Sequence, residues 1–198
     1  MAVWALIGFM GCGKSSIGRT VAKMLGVGGI PPHHASAIFI DLDEEIEKRC
    51  VQSIPDIFIS KGEAGFRTIE RDTLTQLLTA VALAPLPKAV LISLGGGTLT
   101  DPESRELVKK NCKCIYLRAR VETLAANLRE DGAAAGRPML AGVDTSAPAE
   151  APNSLESRIA AMMTERGPIY EKTADIILDI DGLSYEQAAR QILNSFSR

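Results

Sequence analysis

The chain has 198 residues, of which 46% are hydrophobic and only 5% aromatic, so we expect a folded domain with a mainly aliphatic core. The 22 lysines and arginines against 24 acidic residues give a net charge of −2, which argues against a disordered chain and against a nucleic-acid-binding protein. No apolar run reaches the roughly 20 residues of a membrane span, and the N-terminus lacks the basic segment of a secretory signal. We therefore expect a single intracellular domain over residues 1–198 that binds no membrane.

The four cysteines and two histidines form no metal-binding or redox motif. Cys112 and Cys114 stand two residues apart on a predicted strand and should point to the same face, where buried, unreactive thiols are the expected state. His33 and His34 follow two prolines and are interpreted as exposed loop residues. This cysteine usage favours a reducing compartment.

Short apolar segments alternate with amphipathic ones along the chain. Strands are predicted at residues 3–7, 37–40, 89–94, 112–117 and 176–180. Helices are predicted at residues 14–25 and 63–81, after the Asp101-Pro102 pair, and after Ser184, which starts a capping-box pattern. Because strands that alternate with helices form βαβ units, the sequence predicts a doubly wound α/β domain with a parallel sheet.

Residues 131–153 interrupt this alternation, since they are rich in Gly, Ala and Pro and show little apolar periodicity. A linker between domains is one interpretation, but the segment lies inside a single α/β unit. Long loops within compact domains often serve as active-site lids. We therefore predict a mobile lid at about residues 131–153.

Residues 8–15 match the phosphate-binding pattern G-x-x-x-x-G-K-S/T at every position, between a predicted strand and a predicted helix. Glycines let successive backbone N–H groups face one anion at a helix N-terminus. Lys14 is expected to reach the β- and γ-phosphates, and the Ser15 hydroxyl to bind Mg²⁺. A nucleoside triphosphate with Mg²⁺ is thus the predicted ligand, bound by Gly11, Cys12, Gly13, Lys14, Ser15 and Ser16. A short chain without a guanine-recognition signal favours a small-molecule kinase.

Two carboxylates follow the second predicted strand, where ligands bind in open α/β sheets. Asp43 is a candidate to accept a hydrogen bond from an attacking hydroxyl, and Asp41 to support hydrated Mg²⁺. Capping of the next helix explains both residues equally well, because Glu44 and Glu45 continue an acidic first turn.

Glycines and arginines complete the candidate acceptor site. Gly95, Gly96 and Gly97 follow the third strand and offer backbone N–H donors, although a plain loop is an alternative. Guanidinium groups bind carboxylates and stabilise a transferring phosphoryl group, and the candidates are Arg67, Arg137 and Arg166. Arg67 has a simpler interpretation, in which it pairs with Glu63 or Glu70 along its helix.

The segments GFMGCGKSSIGR, FIDLDEEIE, SIPDIF, GEAGFRTIE, GGG, RPML and ERGPIY occur in the order and spacing of shikimate kinases, so nearly the whole chain resembles that family. The resemblance implies a three-layer P-loop fold with a five-stranded parallel sheet in the order 2-3-1-4-5. It implies that ATP phosphorylates the 3-hydroxyl of shikimate, a step of aromatic amino acid biosynthesis. It also implies a monomer located in the cytoplasm, or in the plastid of a plant.

The resemblance assigns roles residue by residue. Asp43 corresponds to the carboxylate that binds the shikimate hydroxyls and is the proposed base, and Asp41 to the carboxylate near Mg²⁺. Arg67 and Arg166 correspond to the pair that binds the shikimate carboxylate, and Arg137 to the lid arginine that reaches the phosphates. The residues that correspond to backbone contacts and to the apolar surroundings of the substrate are Gly95, Gly96, Gly97, Ile54, Phe58, Phe66 and Met139.

The chain departs from the family pattern around the adenine. Asn127 and Tyr185 stand where the family usually has an Arg and a Pro that stack on the base, with Arg129 near enough to substitute by a small shift. Val51 replaces a common glycine, and insertions fall at residues 28–36, 82–88 and 142–153. Two alternatives remain open, another P-loop kinase such as a gluconate kinase, or a catalytically inactive relative that only binds.

Overall fold

The computed structural model describes residues 2–25, 37–83, 89–130, 138–140 and 142–196. Their strands are β1 (Ala2–Ile7), β2 (Ala37–Asp41), β3 (Ala89–Ser93), β4 (Lys113–Arg118) and β5 (Ile176–Asp179). Their helices are α1 (Lys14–Met24), α2 (Leu42–Cys50), α3 (Ile54–Leu83), α4 (Pro102–Asn111), α5 (Val121–Glu130), α6 (Leu155–Thr173) and α7 (Tyr185–Ser195). Two 3₁₀ turns lie at Thr98–Thr100 and Pro138–Leu140.

The five strands form one parallel sheet in the order β2-β3-β1-β4-β5, flanked by helices, which confirms the predicted fold. Strand β1 is central, and its Leu6 pairs with Ser93 on one side and with Ile115 on the other. Leu6 and Ile115 are completely buried, as expected for a sheet covered on both faces. All the strands run in the same direction, so the loops after β1, β2 and β3 meet at one edge of the sheet.

Helix α3 consists of two helices that meet at a kink, and the predicted start at residue 63 is confirmed as the start of the second one, directly after Gly62. The first part, from Ile54 to the kink, was not predicted. The two parts of this helix meet at Gly62, whose φ of 68° and ψ of −179° are non-helical and readily adopted only by glycine. A helical pattern read from the sequence stops at such a residue, whereas the chain continues as helix on both sides of it. The first part, which precedes Gly62, carries several residues of the site described below.

Strand β4 begins at Lys113, one residue later than predicted. Cys112 caps the end of α4 in an extended conformation, and its N–H donates to the Val108 carbonyl over 2.8 Å. Burial raises the pKa of both thiols to about 12, which keeps them protonated and unreactive, as expected.

Both predicted helix caps are present. The Asp101 carboxylate accepts from the Ser104 N–H over 2.9 Å at the start of α4. Ser184 and Gln187 form a reciprocal capping box at the start of α7, which places Tyr185 at its first position. Such contacts can be predicted from local sequence patterns because both partners lie within one helical turn.

The predicted lid falls only partly within the described residues. After the turn Pro138–Leu140, residues 142–154 form a closed loop in which the Asp144 N–H donates to the Asn153 carbonyl over 3.2 Å. His33 and His34, and the insertion at residues 28–36, lie outside the described residues. None of the described helices is long and apolar enough to cross a membrane.

Candidate active site

The loop after β1, residues 8–13, leads directly into α1 and forms a hollow at the N-terminus of that helix. Gly13 has φ 76° and ends the loop in a left-handed conformation. The Lys14 ammonium is buried and donates to the carbonyls of Gly8 and Phe9 over 2.9 and 3.0 Å. A Cβ at Gly8 would lie 2.7 Å from the Leu117 carbonyl, so the loop is packed tightly on β4. This arrangement is the phosphate-binding geometry that the sequence predicts.

Oxygen donors suited to Mg²⁺ lie next to this loop. The Ser15 hydroxyl donates to the Asp41 carboxylate, which also accepts from the Asp43 N–H over 3.0 Å and so caps α2. The capping interpretation of Asp41 is therefore confirmed, while its support of Mg²⁺ stays a prediction. In the part of the chain that the structure describes, no group of three or more His, Cys, Asp or Glu side chains is placed to hold a metal. One hydroxyl and one carboxylate fit Mg²⁺ that is held mainly by phosphates and water.

Beside the phosphate loop, a cavity of about 460 Å³ opens between the ends of β2 and β3 and helices α2, α3 and α6. We call it the acceptor cavity. Its lining includes Asp41, Asp43, Glu44, Glu47, Ile54, Phe58, Phe66, Arg67, Glu70, Gly95, Gly96, Gly97, Met139 and Arg166. Asp43 also lines the smaller cavity of about 150 Å³ over the phosphate loop, and so stands where the two spaces meet.

Arg67 lies on the α3 wall of the acceptor cavity and is held by two carboxylates. Its guanidinium pairs with the buried Glu70 over 2.6 Å and with the exposed Glu63 over 3.5 Å. Arg67 therefore pairs with both glutamates along its helix and also lines the acceptor cavity. The buried Nε of Arg67 finds no acceptor among the described residues.

The glycine loop, Gly95–Gly97, passes so close to these side chains that a Cβ at Gly95 or Gly97 would displace them. A Cβ at Gly95 would lie 2.7 Å from Glu70 Oε1 and 2.9 Å from Asp43 Oδ1. A Cβ at Gly97 would lie 2.8 Å from Arg67 Cζ. The three glycines thus bring backbone within contact distance of both the carboxylate and the guanidinium of the site.

Helix α6 contributes Arg166, which is 5% exposed and lies 5.8 Å from the centre of the Phe9 ring. One N–H of Arg166 points to the Gly96 carbonyl over 3.4 Å, and the hydroxyl of Tyr170 donates to the same carbonyl. The apolar wall is formed chiefly by Phe58 and Phe66, whose ring centres are 4.6 Å apart. The cavity therefore combines two guanidinium groups, five carboxylates and an apolar surface.

A third cavity, of about 420 Å³, lies on the other side of the phosphate loop between α1, α5 and α7. We call it the base cavity. Tyr185 lines it and lies against the loop, since a Cβ at Gly13 would be 3.0 Å from the tyrosine ring. The Asn127 amide donates to the Gly11 carbonyl over 2.8 Å. Arg129 instead forms a two-bond ion pair with Glu156 over 2.6 and 2.9 Å, so it does not occupy the position suggested for it.

The structure brings together every predicted site residue except Arg137, which lies outside the described residues. Sequence reasoning missed Thr98, Tyr170 and Glu47 as residues of the site or its support. It considered Glu70 only as a surface partner of Arg67, although Glu70 is 1% exposed. The spacing could have indicated two of these residues. Glu70 is three residues after Arg67 and Tyr170 is four residues after Arg166, and both spacings place the side chains on one helix face.

A parallel sheet in this order, with a phosphate loop after its central strand and an acceptor cavity beside it, defines a P-loop kinase. The family model described as shikimate kinase matches residues 10–197 of the chain. The chain belongs to the shikimate kinase family.

Individual relatives agree over almost the whole length. The shikimate kinase of Dictyoglomus turgidum is 34% identical over 189 residues, covering 96% of this chain and 94% of the relative. That of Chlorobium chlorochromatii is 36% identical, covering 94% and 88%. Among solved structures, shikimate kinase from Acinetobacter baumannii in complex with shikimate has a TM-score of 0.78 at 28% identity, covering 100% of this chain and 93% of the other. The Bacteroides thetaiotaomicron enzyme also has a TM-score of 0.78, at 27% identity.

Proposed function

We propose that this chain transfers the γ-phosphoryl group of ATP to the 3-hydroxyl of shikimate, giving shikimate 3-phosphate and ADP. Membership in the shikimate kinase family over residues 10–197 supports the reaction. The single observation that carries the assignment to these residues is the junction at Asp43, which lines both the phosphate cavity and the acceptor cavity.

The acceptor is held by groups that suit a small hydroxylated carboxylic acid. Arg67 and Arg166 present guanidinium groups to a cavity that Phe58 and Phe66 make apolar on one side. A carboxylate bound by the arginines, with the ring on the apolar wall, leaves the hydroxyls to face Asp43. Asp43 would accept the proton of the attacking hydroxyl or fix its direction.

Phosphoryl transfer needs little covalent help from a protein, so positioning and charge stabilisation supply the rate. The phosphate loop binds the triphosphate through its N–H groups, with Lys14 free to exchange two backbone carbonyls for phosphate oxygens. Mg²⁺, when bound beside Ser15 and Asp41, would neutralise charge on the β- and γ-phosphates. Arg137, from the lid, is proposed to add a further positive charge.

The nucleobase is proposed to lie in the base cavity, next to Tyr185 and Asn127. All of its described lining residues are uncharged, so aromatic and apolar contacts would hold the base there. We further propose, from the resemblance to the shikimate kinase family, that the chain works as a cytoplasmic monomer. Sedimentation of the purified protein at micromolar concentration tests the monomer.

The experiment that tests the function measures ADP release from ATP with shikimate or gluconate as the acceptor. Shikimate-dependent release is expected, and release that requires gluconate or no acceptor at all would contradict the proposal. Asp43→Asn is expected to lower kcat about 100-fold or more with the KM for ATP little changed. Glu45→Gln is the matched control, because Glu45 lies on the same helix but pairs with Arg49 over 3.3 Å.

A further inference from the structure

The Gly96 carbonyl is shared by two donors that arise from one face of α6. The Tyr170 hydroxyl donates a hydrogen bond to it, and Arg166 approaches it over 3.4 Å. Arg166 and Tyr170 are four residues apart, so both side chains leave the helix on the same side. Two donors therefore share one acceptor within the wall of the acceptor cavity.

Tyr170 is the fixed member of this pair. It is 2% exposed, and its ring lies 5.2 Å from the ring of the equally buried Tyr116. Burial raises the pKa of Tyr170 well above that of a free tyrosine, so its hydroxyl remains a donor throughout the pH range of the enzyme. The Arg166 contact, by contrast, is at the limit of a hydrogen bond.

Gly96 itself has little room to move. A Cβ at this position would lie 3.1 Å from the Met10 backbone nitrogen, so the glycine loop packs directly on the phosphate loop. The orientation of the Gly96 peptide therefore links the backbone that faces the acceptor to the backbone that faces the phosphates.

We infer that Tyr170 is a positioning residue for the acceptor: its hydroxyl satisfies the Gly96 carbonyl and so leaves the Arg166 guanidinium available to the acceptor carboxylate. This inference rests on the proposed function, in which Arg166 binds that carboxylate. The Gly96 carbonyl is part-buried in the cavity wall, and a carbonyl that loses one donor is satisfied by the nearest remaining one. Without the Tyr170 hydroxyl, Arg166 is the neighbouring donor, and it is drawn away from the substrate.

The first test is Tyr170→Phe, which removes one oxygen and keeps the ring. The KM for shikimate is expected to rise about tenfold, equivalent to about 1.4 kcal/mol, while the KM for ATP changes less than about twofold. Tyr116→Phe is the matched control, since it removes a hydroxyl from the adjacent buried ring without touching Gly96, and it should leave both constants unchanged. An unchanged KM for shikimate in Tyr170→Phe, or an equal rise in Tyr116→Phe, overturns the inference.

The second test asks whether Tyr170 acts through Arg166. In a double-mutant cycle, Tyr170→Phe is expected to add little to the loss of shikimate affinity caused by Arg166→Ala, because the freed carbonyl then has no guanidinium to capture. If the two substitutions instead raise the KM for shikimate by factors that multiply in the double variant, the role of Tyr170 is purely structural and the inference is overturned.

The outcomes separate this inference from the proposed function. Absence of shikimate-dependent turnover in the wild-type protein refutes the function, whereas an active wild type with an unaffected Tyr170→Phe refutes only the role of Tyr170. If Tyr170→Phe does not fold, wild-type protein with isotope-labelled tyrosine takes its place. Shikimate should then shift the Tyr170 hydroxyl-carbon resonance more than that of Tyr116, and equal shifts overturn the inference.

Discussion

Arg67 and Glu70 form a close ion pair one turn apart on α3, with 2.6 Å between guanidinium nitrogen and carboxylate oxygen. The other oxygen of Glu70 accepts from the Thr98 hydroxyl over 2.6 Å, in the turn that follows the glycine loop. One buried carboxylate therefore anchors two parts of the acceptor cavity that come from different elements. The direction of Arg67 and the position of the glycine loop depend on the same residue.

Glu70→Gln should weaken both the fold and the binding of shikimate. The amide can still accept from Thr98, but it leaves Arg67 without its buried counter-charge, so the free energy of unfolding should fall by about 2 kcal/mol. The KM for shikimate should rise. Urea unfolding and steady-state kinetics measure the two effects. Glu63, the other partner of Arg67, is 53% exposed, so Glu63→Gln should lower the free energy of unfolding by less than about 0.5 kcal/mol. Equal effects of the two variants would contradict this assignment.

Tyr185→Ala should raise the KM for ATP about tenfold, because stacking of a base on an aromatic ring contributes about 1–3 kcal/mol. Tyr185 lines both the base cavity and the phosphate cavity and is 48% exposed, so its removal opens space without emptying the core. The KM for shikimate should stay unchanged. Tyr185→Phe keeps the ring and should behave like the wild type. A wild-type KM for ATP in Tyr185→Ala would show that the base binds elsewhere.

Val51→Gly should stabilise the protein. Val51 follows α2 with φ 50° and ψ 35°, a left-handed conformation that is unfavourable for a β-branched residue, and its side chain is 89% exposed. Relief of about 1 kcal/mol of backbone strain should raise the midpoint of thermal unfolding by several degrees. Val51→Ala, which retains a Cβ, should recover only a small part of this gain. A lower midpoint for Val51→Gly would contradict the strain argument.

The ion pair between Arg129 and Glu156 should make stability depend on pH. Hydrogen bonds from Arg129 hold the pKa of Glu156 below its ordinary value of 4.5. The folded state therefore binds this proton less tightly than the unfolded chain does, so the stabilisation is complete above pH 4.5 and is lost as the pH falls below it. Glu156→Gln should cost about 1 kcal/mol at neutral pH, a modest figure because Arg129 is partly exposed.

The stability difference between wild type and Glu156→Gln should then close in acid, as followed by urea unfolding at a series of pH values. Glu165→Gln, on the exposed face of the same helix, should show no such convergence. A difference that persists unchanged at low pH would mean that the charge of Glu156 is not what stabilises the loop before α6.

Sequence patterns predicted those parts of the site whose residues are close together in the chain. The whole phosphate loop could be predicted from residues 8–15. The capping box at Ser184 could be predicted because its partners are three residues apart. The part of α3 that follows Gly62 was predicted, whereas the part from Ile54 to Gly62 was missed because a helical pattern is not read across a non-helical glycine. The position of Arg129 was also misjudged, since its partner Glu156 lies 27 residues further along.

The sequence by itself determined the fold class, the phosphate loop and the family, because each depends on short motifs or on the alternation of apolar and amphipathic segments. Only the tertiary structure decided how these parts meet. It buried Glu70 between Arg67 and Thr98, brought Tyr170 and Arg166 to one carbonyl of the glycine loop, and placed Asp43 between two cavities. The physical reason is that parallel strands distant in sequence end at one edge of the sheet, where side chains compete for the same acceptors.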